Sequence, residues 1–231
     1  MTMNVLVVRV FADEDGRFGN ELGVVLDAAG LDSGLGPKLT AHLGFSETVF
    51  VDRIDETGAD VRIFNPTAEM RLAGHPLVGT SRVIAEATGA QPAVLRPRLA
   101  DAVDTWREGE VTWIRGNAAF APEFEFVRHT TPACVEGLAV PAVEERAHAQ
   151  HWAWIDEAAG VLRARTFVGT MGIPEDEATG AAAIHQAQRL GRPVTIRQGR
   201  GSVLRARPAE TPGWSEVGGL VVAEPARVIE L

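Results

Sequence analysis

The chain has 231 residues, 45% of them hydrophobic and 23% charged, with a formal net charge of −9. That is an ordinary globular balance, long enough for one large or two small cores, and its negative sign argues against nucleic acid or an anionic membrane as partner. A single cysteine excludes an internal disulfide and a cysteine-built metal cage.

The opening MTMNVLVVRVF is too short for a membrane span and lacks a basic start and cleavage site, so a cytoplasmic location is the default expectation. Asn4 to Phe11 is a continuous apolar run, expected as a central strand. After the polar loop Asp13-Glu14-Asp15-Gly16 and the segment Gly19 to Gly23, a strand is expected over Val24 to Asp27. Leu35, Leu39 and Leu43 recur every four residues, which predicts a helix ending near Gly44. Ser46-Glu47 opens a strand over Thr48 to Arg53, with Val49 and Val51 on one side and Phe50 on the other. A turn at Thr57-Gly58 leads to a strand over 61–64, broken by Asn65-Pro66. The chain then turns on Gly74-His75-Pro76 into a helix of small and apolar residues, with Pro76 in the first turn where its missing N–H costs nothing. Such a helix should be buried, its N-terminal N–H groups presented to a cavity.

Two prolines and a change of texture place a boundary near Gln91, dividing the chain into halves 1–90 and 91–231. Strands are expected over 103–106 and 110–115, joined at Glu108-Gly109, and an edge or irregular piece over 122–127. Pro132 and Pro141 disfavour a long element between Thr130 and Ala147. Residues 151–156 and 161–168 form a predicted hairpin, followed by the acidic cluster Glu175-Asp176-Glu177 and a small-residue helix from Thr179-Gly180 to Leu190. A hairpin over Gly199-Arg200-Gly201 and two strands, 217–223 and 226–231, complete the reading. Strand, loop, polar group and small-residue helix occur twice, about a hundred positions apart. This repeat implies an α+β architecture in which two helix N-termini face one cleft.

The blocks Gly19-Asn20, Ser46-Glu47-Thr48, Gly74-His75-Pro76 with Gly79-Thr80, and Glu175-Asp176 with Ala178-Thr179-Gly180 stand in an order that resembles the PhzF-like isomerases of phenazine biosynthesis. The resemblance implies a diaminopimelate-epimerase-like fold of two pseudo-symmetric halves, each a strand cage around a central helix. It implies no metal or organic cofactor, a small carboxylic acid as substrate, and commonly a homodimer. It assigns proton handling to Glu47, with His75 and Asp176 shaping and polarising the site. Gly74, Gly180 and Ala181 take substrate-binding positions, the last two through backbone N–H groups, and Ser46 and Asn20 fall in the same blocks. Departures from the family pattern are Ala181 where serine is usual, Arg71 where proline is usual, Glu177 where a small residue or proline is common, and a shortened second half between about Leu138 and His148.

Each residue also has a plainer reading. Glu47 can be a solvated strand start, His75 a helix cap, and Asp176 a charge placed before a helix N-terminus. The acidic cluster can be a solvated loop, and Ser46 an orienting group for Glu47. Cys134 is expected to be an inert buried thiol. His42, His129, His148 and His151 lack metal-ligand spacing, and His185 is expected to pack or hydrogen-bond within the second helix. Three functions follow: a cofactor-independent isomerase moving a proton and a double bond, a two-base amino-acid epimerase using Glu47 and Asp176, or a binding protein that kept the cleft without turnover. The absence of a thiol pair argues against the cysteine-dependent epimerase mechanism.

Overall fold

The computed structural model describes residues 2–142, 148–168 and 174–230. The first half of the chain gives β1 (Thr2–Ala12), β2 (Asn20–Val25), α1 (Leu35–Leu43), β3 (Glu47–Ile54), β4 (Gly58–Phe64), the short β5 (Glu69–Met70) and α2 (Gly74–Thr88). There follow β6 (Val94–Pro97), β7 (Val103–Glu108), β8 (Val111–Asn117), β9 (Glu125–Arg128) and α3 (Pro132–Glu136). The remainder is β10 (His148–Asp156), β11 (Val161–Val168), α4 (Gly180–Leu190), β12 (Val194–Gln198), β13 (Ser202–Pro208) and β14 (Trp214–Glu230). Among the described residues, no helix is long and apolar enough to cross a membrane.

β1 shows why its sequence lacks alternation: both of its faces are covered. Met3, Val5 and Val7 pack outward against Leu39 and Leu43 of α1, whereas Val8 and Val10 pack inward with Leu77 and Val78 of α2. The same parity holds in β3, where Val49 and Val51 face α2 and Phe50 faces the α1 side. Arg62 pins that outer layer. Its buried guanidinium pairs with Asp52 and donates to the carbonyls of Ala28 and Leu31, so the loop before α1 is tied to β4.

The strands β1-β2-β3-β4-β6-β7-β8-β14 pair in that order, and β14 pairs again with β1, closing a ring around α2. α2 lies close to the wall because Gly79 has no side chain: a Cβ there would come within 2.5 Å of Leu22. From β14 the sheet continues through β13, β12, β11 and β10 to β9, an edge, with α4 packed against β13 and β14. The apolar interior runs unbroken from α2 to α4, joining Leu77 and Ile84 to Ala183, Ile184 and Leu204.

Several expectations need correction. The division at residues 90 and 91 cuts through the closed ring, since β6, β7 and β8 lie beyond it and the wall is finished by β14. β6 was not foreseen because Pro92 and Pro97 frame it; it runs parallel to β4 on one side and antiparallel to β7 on the other. The strand expected at 24–27 starts four residues earlier, at Asn20. The two expected C-terminal strands are one. Pro225 is accommodated by a register shift opposite Val5 and Val7, where no N–H is required of it. Cys134 is exposed, not buried, on the short α3, where Thr131 caps the first turn. Residues 143–147, part of the shortened stretch, lie outside the described residues.

Candidate active site

α2 and α4 begin against one another. A Cβ on Gly74 would lie 2.7 Å from the Cα of Gly180, and a Cβ on Gly180 would lie 2.7 Å from the Cα of Gly74. Neither helix start has a side-chain cap. Pro76 has no N–H, and Leu77 already bonds back to Ala73, so the open donors of α2 are concentrated at Gly74 and His75. Two positive helix ends thus converge on one place, an arrangement that favours an anion.

That place is a small cleft between the two helix starts. Met70, Leu72, Phe124 and Val168 give it apolar walls, and Gly74, Gly180 and Ala181 form its floor. Its titratable groups are Glu47, His75 and Asp176, all buried. No arginine or lysine lines it among the described residues.

Glu47 is the first residue of β3 and is only 7% exposed. Its Oε2 lies 3.4 Å from His75 Nδ1 and has no hydrogen-bond partner. Burial, reinforced by the nearby Asp176 charge, raises its pKa well above 4.5. Burial pushes His75 the other way, down to about 3 against the ordinary 6.5. Burial thus works against the charged form of each, so the environment does not favour an ion pair between them.

Asp176 enters from the other half. Its backbone N–H donates to Thr166 at 2.9 Å, which hooks the acidic loop onto β11. Its Oδ1 accepts from Asn20 Nδ2 at 2.6 Å, and its Oδ2 accepts from the Thr179 hydroxyl at 2.7 Å. Burial raises the pKa of Asp176, and the Thr179 and Asn20 donors oppose that rise. The acidic cluster is not a solvated loop. Glu175 pairs with Arg165, and Glu177 accepts from the backbone of Arg200 and the hydroxyl of Ser202. Gly199-Arg200-Gly201 is the hairpin turn its sequence implies, and it serves as the receptor for Glu177.

The candidate residues thus fall into two sets. Glu47, Gly74, His75, Asp176, Gly180 and Ala181 all line the cleft. Asn20 and Ser46 do not; Ser46 donates to Asn20 Oδ1 at 3.4 Å, and Asn20 in turn grips Asp176. Sequence reasoning missed Thr179 and Gln198 as parts of this network, and the apolar walls Met70, Leu72 and Phe124. Thr179 sits at a helix start, where its hydroxyl would ordinarily cap its own helix; its turn toward Asp176 has no local signature. His185 Nε2 donates to the carbonyl oxygen of Pro122 at 3.0 Å, in keeping with the packing or hydrogen-bonding role expected of it. No group of three or more His, Cys, Asp or Glu among the described residues is arranged to hold a metal ion.

Residues 8–99 match the model of the family described as phenazine biosynthesis-like protein. The trans-2,3-dihydro-3-hydroxyanthranilate isomerase of Pseudomonas aeruginosa is 27% identical over 236 residues, covering 84% of each chain. An uncharacterized isomerase of Mesorhizobium japonicum is 42% identical over 94 residues, a match that covers 40% of this chain and 31% of that protein. The crystal structure of a PhzF-family phenazine biosynthesis protein from Bacillus anthracis superposes with a TM-score of 0.82 at 18% identity, covering all of both chains. The chain shares the α+β, epimerase-like architecture of that crystal structure, and the sequences it resembles are PhzF-like isomerases.

Proposed function

We propose that the protein is an isomerase of secondary metabolism that moves a proton, and with it a double bond, within a small unsaturated cyclic carboxylic acid. One observation carries this reading: Glu47, His75 and Asp176 line a single apolar-walled cleft at the meeting point of two uncapped helix starts. The helix starts, through the N–H groups of Gly180 and Ala181, hold the substrate carboxylate. Glu47 takes a proton from one ring carbon while the freed electron pair shifts the double bond, and the same carboxyl returns a proton at the far end of the shifted system. A buried carboxyl with a raised pKa suits both halves of that exchange, because it is neither too weak to accept nor too reluctant to give. Neutral His75 keeps Glu47 oriented, and Asn20 and Ser46 act by holding Asp176. Every step uses groups of the protein itself.

The test is incubation with trans-2,3-dihydro-3-hydroxyanthranilate in deuterated water, followed by mass spectrometry. Solvent-sensitive conversion that Glu47→Gln reduces by about 10²–10⁴-fold supports the reading; undiminished turnover in that variant removes it. A two-base epimerase remains the second reading, favoured by one carboxyl arriving from each half. Loss of optical rotation in a single amino acid would select it. In either case we infer work in the cytoplasm as a homodimer, on the strength of the family resemblance, to be checked by fractionation and light scattering.

A further inference from the structure

Behind Asp176 lies a side chain that no part of the proposed reaction uses. Gln198, at the end of β12, is wholly buried. Its Nε2 donates twice, to the backbone carbonyl of Asp176 at 2.9 Å and to the Thr179 hydroxyl oxygen at 2.8 Å. A hydroxyl has one hydrogen. With Gln198 supplying a donor to its oxygen, Thr179 has its own hydrogen free for Asp176 Oδ2, 2.7 Å away. The amide of Gln198 cannot turn over without setting its Oε1 against the carbonyl oxygen of Asp176, which only accepts. The cap that Thr179 would normally give α4 is surrendered for this contact, which also leaves the helix start open toward the cleft.

The two cleft carboxyls are consequently unlike. Both are buried, yet Asp176 receives a donor on each oxygen whereas Oε2 of Glu47 receives none. We propose that Gln198 is a positioning residue that locks the Thr179 hydroxyl onto Asp176, so that Asp176 is the cleft carboxyl that stays ionised and Glu47 the one that handles the transferred proton. The other charged or titratable groups near Asp176 leave this division in place. Glu47 and His75 face it across the cleft, and its neighbours Glu175 and Glu177 are engaged by Arg165 and by the Arg200 turn.

The inference rests on the proposed reaction, in which Glu47 transfers the proton beside Asp176, but its test needs no turnover. Protein carrying ¹³C-labelled aspartate side chains is titrated by NMR, with Asp176→Asn identifying the Asp176 signal. Thr179→Val, nearly isosteric, should raise the Asp176 midpoint by about one pH unit, a tenfold change in proton affinity, and Thr179→Ser should restore it. Gln198→Met should give an upward shift of the same sign, with Gln198→Asn as the alternative if that variant folds poorly. In the Thr179→Val background, either Gln198 variant should add nothing further. Additive shifts would mean that Gln198 acts only through the backbone of Asp176, and unchanged midpoints would mean that it does not act at all; either result overturns the proposal while leaving the isomerase reading untouched.

Discussion

Replacing Gly74 by alanine tests the meeting of the two helices directly. The added Cβ would sit 2.7 Å from Gly180 Cα and 2.8 Å from its carbonyl carbon. Carbon atoms are comfortable at about 3.5–4.0 Å, so the two backbones must part by roughly 1 Å. Both contacting atoms are main chain, and no flexible side chain can yield in their place. Overpacking of this kind costs about 1–3 kcal/mol. Alanine in a helix otherwise gains about 0.5–1 kcal/mol over glycine, so the two effects have opposite signs. The net expectation is a loss of about 1–2 kcal/mol, read as a fall of roughly 0.5–1 M in the urea midpoint. Catalysis should suffer more than stability, because the shift falls where the substrate carboxylate is held and a misplacement of about 1 Å can cost about 10²-fold in rate. Gly180→Ala should behave alike, and the double variant should lose less than the sum, since both methyl groups need the same gap. A Gly74→Ala protein that is more stable than wild type and equally active would show that the helix starts do not touch, and would refute the cleft as described.

Two further expectations concern the buried titratable groups. Glu47 has a pKa raised by the fold, so between 4.5 and that raised value the native state binds more protons than the unfolded chain and loses stability as pH rises. Glu47→Gln should therefore match wild type below about pH 4.5 and exceed it in melting temperature above; equal melting temperatures at pH 8 would place Glu47 in solvent. His75, held down to about 3, should show the ¹⁵N signature of a neutral imidazole at pH 5. The unfolded chain takes up that proton below 6.5 while the native state does not, so His75 erodes stability as pH falls from 6.5 towards 3. A native midpoint near 6.5 would contradict its burial.

The elements with strong local periodicity were legible in the sequence. Leu35, Leu39 and Leu43 announce α1, and the run after Gly74-His75-Pro76 announces α2, because helix period and proline placement are short-range signals. The opposed faces of Val49 and Phe50 were legible for the same reason. β6 was not, since Pro97 looks like a breaker until its neighbours β4 and β7 are known. Nor was the length of β14, whose Pro225 is tolerated only because β1 supplies a register shift opposite it. The cleft residues came from ordered blocks spread along the chain, whereas the Asn20–Asp176–Thr179–Gln198 network joins three distant segments and leaves no pattern in any one of them. Cys134 was misjudged because a lone thiol is usually interior, and the α3 turn that carries it to the surface depends on Thr131 and Pro132.

β14 completes the wall around α2, yet it is made long after the strands it joins. During synthesis β1 and β8 leave the ribosome with no partner on one flank, and α2 cannot be enclosed until Trp214–Glu230 has emerged. The first half is thus unable to mature as an independent co-translational unit. The late, long-range closure makes for slow folding, and the nascent chain carries exposed strand flanks until Trp214–Glu230 arrives.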